Sequence, residues 1–137
     1  MLNEKLDFMG FNGSKAVMVT WSFIWVAFGG ACGAVIRYIV GLSIGFPYAT
    51  LSINVLGCFL MGVLFVYLEH KEFDRWQPFL VIGFLGGFTT FSAFSLDTLK
   101  LYQDDRYLAA GGYIVASVFL SLLALTVGFL IARELLT

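Results

Sequence analysis

Uncharged hydrogen-bond donors are the residues of this sequence that could do chemistry. Asn54 has Thr50 one helical turn before it, and the i, i+4 spacing puts both on one helix face. Tyr113, Ser117 and Ser121 repeat every four residues and make a hydroxyl stripe. Hydroxyls and an amide NH₂ all donate hydrogen bonds to an anion. Phe91 and Phe94 share a face at i, i+3. An aromatic ring has a negative face and a positive edge, so rings presented edge-on hold an anion without a formal charge. Each group also has a packing role open to it: Asn, Ser and Thr in membrane helices bond to neighbouring helices for about 1 kcal/mol. Most of the fifteen phenylalanines face lipid or core. For Asn54 both readings stand, whereas three hydroxyl residues at one spacing favour a track. Arg37 either snorkels to the membrane interface or draws anions into a vestibule.

The elements that must position these residues follow from the charge distribution. Only 8 Lys and Arg and 9 Asp and Glu occur in 137 residues, against 60% hydrophobic and 18% aromatic residues. The charges cluster and leave four charge-free stretches, 16–36, 38–68, 76–96 and 107–132. A bilayer core is crossed by roughly 20 apolar helical residues, so each stretch is long enough to span it once. The expectation is an all-α membrane protein: a polar leader over 1–15 and one four-helix domain over 16–137. The spans run from about Ala16 to Val40, from Tyr48 to Leu68, from the Trp76-Gln77-Pro78 start onward, and from Tyr107 to Ala132. Trp21 and Trp25 suit an interfacial aromatic belt.

The same pattern excludes several functions. A net charge of −1 with no basic run leaves no footprint for nucleic acid. Cys32 and Cys58 lie inside apolar stretches, where small buried packing is their default. His70, the single histidine, sits among loop charges and reads as a solvated surface residue. The four stretches contain no carboxylate, histidine or lysine. Paired acids, the usual metal cages and a Ser-His-Asp arrangement are thereby ruled out, and the chain reads as a non-enzyme. Proton-coupled transport is disfavoured for the same reason.

The third stretch is unusual. Gly83, Gly86 and Gly87 precede Thr89 and Thr90, which puts the strongest helix-weakening cluster at membrane depth. An interrupted helix there is tolerated only where protein or a polar cavity satisfies the freed backbone groups, so a break predicts an ion or substrate site. The alternative is that the glycines only allow close helix packing. Orientation is weakly specified: Lys5, Lys15, Lys71, Arg75 and Arg133 lie on one side, and Arg37, Lys100 and Arg106 on the other. Such a chain can insert both ways up, which makes an antiparallel dimer available.

Three segments together resemble a known family. Gly29-Gly30-Ala31-Cys32-Gly33-Ala34-Val35-Ile36-Arg37-Tyr38, Thr50-Leu51-Ser52-Ile53-Asn54-Val55-Leu56-Gly57 and Gly83-Phe84-Leu85-Gly86-Gly87-Phe88-Thr89-Thr90-Phe91-Ser92-Ala93-Phe94-Ser95 are similar to the Fluc/CrcB family of fluoride channels. The resemblance covers all four spans in order, and the last motif is the specific one. Ala49 stands where the family commonly has glycine, Ala93 where it has threonine, and Asp97 where it has glutamate.

The resemblance implies a dual-topology, antiparallel homodimer in the inner (plasma) membrane, with a broken third helix and two fluoride pores built from both subunits. Phe91 and Phe94 edges and the Asn54 side chain would contact fluoride. Thr50, Tyr113, Ser117 and Ser121 would line the pore, Arg37 its vestibule. A structural sodium ion would sit at the dimer centre on the backbone carbonyls of Gly86 and Thr89. The implied function is passive, selective fluoride export for fluoride resistance. Rival readings are a small multidrug transporter, whose first span centres on a glutamate that is missing here, and a holin-like assembly protein.

Overall fold

The structure, a computed structural model, describes residues 13–71 and 76–136. The leader expected over 1–15 lies outside the described residues up to position 12, as do Glu72 to Arg75 of the second loop. Among the described residues six helical elements follow one another: α1 (Gly13–Ser43), α2 (Tyr48–Lys71), α3 (Pro78–Leu85), α4 (Gly86–Phe88), α5 (Phe91–Gln103) and α6 (Tyr107–Leu136). All regular structure among the described residues is helical. Four segments of the described residues are long and apolar enough to cross a membrane: Trp21–Ser43, Tyr48–His70, Pro78–Gln103 and Tyr107–Leu136.

The third of these segments is built from unlike pieces. Pro78 opens α3, where its missing N–H costs nothing because first-turn amides have no helical acceptor. α3 is π-helical, a wide turn in which the Gly86 N–H reaches back to the Val81 carbonyl. After the short α4, Thr89 (φ −80°, ψ 155°) and Thr90 (φ −156°, ψ 122°) are extended. The Thr90 hydroxyl accepts the Ala93 N–H at 3.2 Å and so caps α5. α5 ends at the Asp104–Asp105 turn, where Asp105 takes a left-handed φ of 57°, a conformation that aspartate tolerates better than most residues.

The charge-free window 76–96 stopped this span too early. Asp97 lies within Pro78–Gln103, one carboxylate inside the apolar segment. It does not end the helix because it has hydroxyl partners on two other helices.

Lipid provides no hydrophobic drive between helices, so they associate by close packing. α1 packs on α3 and α4, and α2 on α6. A Cβ on Gly83 would stand 2.8 Å from the Val26 carbonyl oxygen and 3.1 Å from the Gly29 Cα, and one on Gly87 would collide with the Gly30 backbone. Gly62 and Gly128 allow the same approach between α2 and α6. Gly86 differs. It is exposed, and its Cβ would meet only the Val81 carbonyl of its own segment, at 3.8 Å. Packing therefore accounts for two of the three glycines and leaves Gly86 unexplained. At the start of α3, Trp25, Trp76 and Phe79 form a cluster with centroids 5.9–6.4 Å apart, the interfacial belt of that end.

Candidate functional site

The site is built around the two extended residues. Asn54, the seventh residue of α2, donates its amide to the Thr90 carbonyl at 3.0 Å and accepts the Thr90 N–H at 2.8 Å. This pair of bonds satisfies backbone that the helix no longer serves. An amide offers two N–H donors and two acceptor lone pairs, so Asn54 keeps one of each for something else.

Four carbonyls, those of Gly86, Gly87, Phe88 and Thr89, lose their helical donors where Thr89 and Thr90 are extended. In a continuous helix the Thr90 N–H would go to the Gly86 carbonyl and the Ala93 N–H to the Thr89 carbonyl. Here the first goes to Asn54 and the second to the Thr90 hydroxyl. The two residues that the family resemblance implies would bear a cation, Gly86 and Thr89, are among these four. Uncharged carbonyl oxygens are a donor set suited to a hard cation.

A cavity of about 290 Å³ opens beside the extended residues, lined by Asn54, Thr89, Thr90, Phe91, Phe94, Ser117 and Ser121, with Cys58, Val118 and Leu122 completing the wall. It brings together five of the seven pore candidates, and Thr89 of the cation pair, from three segments of the chain. Ser117 is 5% exposed, and its hydroxyl is buried without a hydrogen-bond partner. Phe94 stacks on Tyr113 (centroids 5.6 Å apart, planes at 28°), which occupies one of its ring faces. The Phe91 and Phe94 centroids are 5.2 Å apart. Phe91 is 77% exposed in the single chain.

Thr50 and Tyr113 are not on this wall. The Thr50 hydroxyl donates to Asp97 Oδ2 at 2.6 Å, and the Tyr113 hydroxyl reaches the same oxygen at 3.4 Å. Asp97 is the residue that the reading of the charge-free stretches missed, since one position separated it from the window. The i, i+3 step from Phe94 to Asp97 was the available signal. Arg37 lines a second cavity of about 420 Å³, together with Thr50, Ile53 and Thr90. Thr90 thus borders both cavities. His70 is exposed at the far end of α2, apart from these groups.

A family model described as CrcB-like protein, Camphor Resistance (CrcB), matches residues 24–129. The chain belongs to the CrcB family. The matched region contains every candidate from Arg37 to Ser121. Among its relatives, a protein of Paracoccus denitrificans is 46% identical over 119 residues, covering 83% of this chain and 96% of its own length. One from Rhizobium johnstonii is 48% identical, covering 82% and 96%, and one from Saccharophagus degradans is 43% identical, covering 89% and 98%. All three are named fluoride-specific ion channel FluC. With its four apolar segments, this CrcB chain is a multi-pass protein of the inner membrane, and the name its relatives carry is that of a channel, not of an enzyme.

Proposed function

We propose that the chain is a fluoride-selective channel that passes fluoride down its gradient and so exports it from the cell. The observation that carries this is the cavity at membrane depth whose wall combines a spare amide N–H, an orphaned buried hydroxyl and aromatic rims, with no formal charge among its lining residues. The names of the relatives support the choice of ion.

Stripping a small anion of water costs roughly tens of kcal/mol in a low-dielectric medium unless donors replace the hydration shell. Asn54, Ser117 and Ser121 supply N–H and O–H donors, and the rims of Phe91 and Phe94 supply positive edges. Such sites are individually weak, which permits exit as well as entry. Arg37 sits at the second cavity, where a cation attracts anions toward Thr90 and Asn54. Thr50 and Tyr113 direct their hydroxyls at Asp97. In this reading they hold that carboxylate in hydrogen bonds and away from the anion.

The functional unit is an antiparallel homodimer with two pores. The weak charge bias between the two sides supports dual insertion. The 77% exposure of Phe91 supports a partner surface that covers it and completes the pore. The carbonyls of Gly86 and Thr89 from both subunits would hold a structural sodium ion, which would neutralise the carbonyl dipoles where the two segments meet. The diverted helical donors and the open surroundings of Gly86 support the fit.

The test is fluoride-electrode efflux from vesicles containing the purified chain, with chloride efflux measured in parallel. Fluoride flux without chloride flux is expected, and equal passage of both, or of neither, overturns the reading. Lys or Arg added on one side to force a single orientation should abolish flux until an oppositely oriented copy is supplied.

A further inference from the structure

Among the described glycines with a close neighbour, Gly57 alone meets side chains rather than backbone. A Cβ at Gly29, Gly33, Gly62, Gly83, Gly87 or Gly128 would first meet a backbone atom of the facing segment. One on Gly57 would collide with Cγ2 of Thr89 and stand 3.3 Å from Cδ1 of Phe88. Gly57 is buried in α2, three residues after Asn54, so the two lie on one face of that helix. Asn54 bonds both polar groups of the Thr90 backbone, and Gly57 faces the methyl of the residue before it. The Thr89 side chain is not free to turn away. Its hydroxyl donates to the Leu85 carbonyl at 2.9 Å, and its N–H donates to the same oxygen at 2.9 Å. Rotation that withdrew the methyl would give up the hydroxyl bond, and a methyl kept in place would push the extended backbone off α2.

We propose that Gly57 is a positioning residue for the cavity wall: the space it leaves takes the Thr89 methyl and sets the depth at which Thr89 and Thr90 dock on Asn54. The docking has little slack. The two Asn54–Thr90 bonds measure 3.0 and 2.8 Å, and a shift of about 0.5 Å carries both beyond the range in which such bonds are good. Asn54 would then lose its hold on Thr90, and Thr89, Thr90 and Asn54 all line the cavity. Alanine is a better helix former than glycine, so Gly57→Ala does not weaken α2 itself, and its effect comes through Thr89. Thr89→Ser keeps the hydroxyl that reaches Leu85 and deletes the methyl, which makes room for the added Cβ. The consequence for ion flow rests on the fluoride-channel reading above, whereas the docking does not.

The experiment is a double-mutant cycle on the full chain, with Gly57→Ala, Thr89→Ser and the two combined. It reads hydrogen exchange at the Thr90 amide by NMR in detergent, and fluoride efflux from vesicles. Gly57→Ala should speed exchange at Thr90 while leaving the far turns of α6 protected, and should lower efflux roughly tenfold, an ordinary coupling for residues in contact. In the Thr89→Ser background the same change should alter each quantity by no more than about twofold. Equal effects of Gly57→Ala in both backgrounds overturn the proposal. So does exchange at Thr90 that Gly57→Ala leaves unmoved, or that rises alike along all the helices, and so does unchanged efflux from a chain that conducts. If Gly57→Ala by itself gives no folded protein, the combined variant decides: Thr90 protected as in Thr89→Ser sustains the proposal, and a second failure to fold overturns it. If the unsubstituted chain passes no fluoride, the channel reading falls separately, and exchange at Thr90 alone decides the positioning role.

Discussion

Thr50 and Asn54 stand one turn apart on α2 and belong to two polar layers that differ in what their hydrogen bonds do. In the Thr50 layer the donors are committed: Thr50 and Tyr113 both point at Asp97 Oδ2, and Thr50 is only 8% exposed. In the Asn54 layer they are not. Asn54 uses one N–H and one acceptor position on Thr90 and keeps the others, and the Ser117 hydroxyl, beside Tyr113, makes no hydrogen bond within 3.5 Å. A polar group in hydrocarbon that is satisfied by protein is scaffolding, whereas one left unsatisfied carries a cost that only a ligand or water removes. Residues of one chemical type at one spacing thus divide into a layer whose hydrogen bonds are spent on the protein and a layer with donors to spare.

The change that breaks this contrast most strongly is Asn54→Asp. It removes the spare N–H, sets a negative oxygen against the Thr90 carbonyl and faces the anion with a like charge. An added barrier of about 3 kcal/mol is expected, which is roughly a hundredfold loss of fluoride efflux. Undiminished efflux would mean that Asn54 serves only the backbone of Thr90.

Next in size are the rings. Phe94→Ile keeps the bulk but removes the aromatic rim, together with a stack on Tyr113 worth about 1 kcal/mol. Efflux should fall roughly tenfold, with a lower unfolding temperature in detergent. Phe91→Ile should lower efflux comparably but cost less stability than Phe94→Ile, and that loss should grow on dilution, since Phe91 is 77% exposed in the single chain and its cover comes from the proposed subunit contact. Equal loss of stability in both variants would contradict the division of roles between the two rings.

Within the committed layer the order reverses, and stability suffers before flux. Thr50→Val leaves Asp97 without its 2.6 Å donor. A hydrogen bond to a charged group contributes about 1.5–3 kcal/mol, so unfolding in detergent should come at a clearly lower temperature. Efflux should drop less than for Asn54→Asp. A flux loss as large as that of Asn54→Asp with unchanged stability would move Thr50 into the ion-contacting layer.

What the sequence made legible was set by chemistry that depends on type and spacing alone. Charge-free length located all four spans, because desolvation of charge dominates in lipid. The third span was cut short for the same reason: a window that forbids charge cannot see that Asp97 is paired with Thr50 and Tyr113 from α2 and α6. Spacing put Tyr113, Ser117 and Ser121 on one stripe, yet only the packed helices separate the committed Tyr113 from the orphaned Ser117. The glycine cluster carried both of its readings at once. Gly83 and Gly87 meet α1 backbone, whereas Gly86 meets none, a distinction that depends on which side of the π-helical segment faces α1. Cys58 was legible only as a small apolar residue, because its place on the cavity wall is a property of the assembled helices.

Ser117→Ala gives the smallest effect and the finest test of the contrast. If the Ser117 hydroxyl were scaffolding, its removal would break a bond and destabilise the fold. It has no bond to break, and a buried hydroxyl without a partner costs about 1–3 kcal/mol that alanine does not incur. The variant should therefore unfold at an equal or slightly higher temperature in detergent while passing fluoride a few-fold more slowly, because one donor is lost at the moment the dehydrated ion passes. Opposite signs for stability and flux are the signature of a group kept for a ligand. A parallel loss of both would show that Ser117 finds a protein partner after all, and the open layer would shrink to Asn54, Ser121 and the rings.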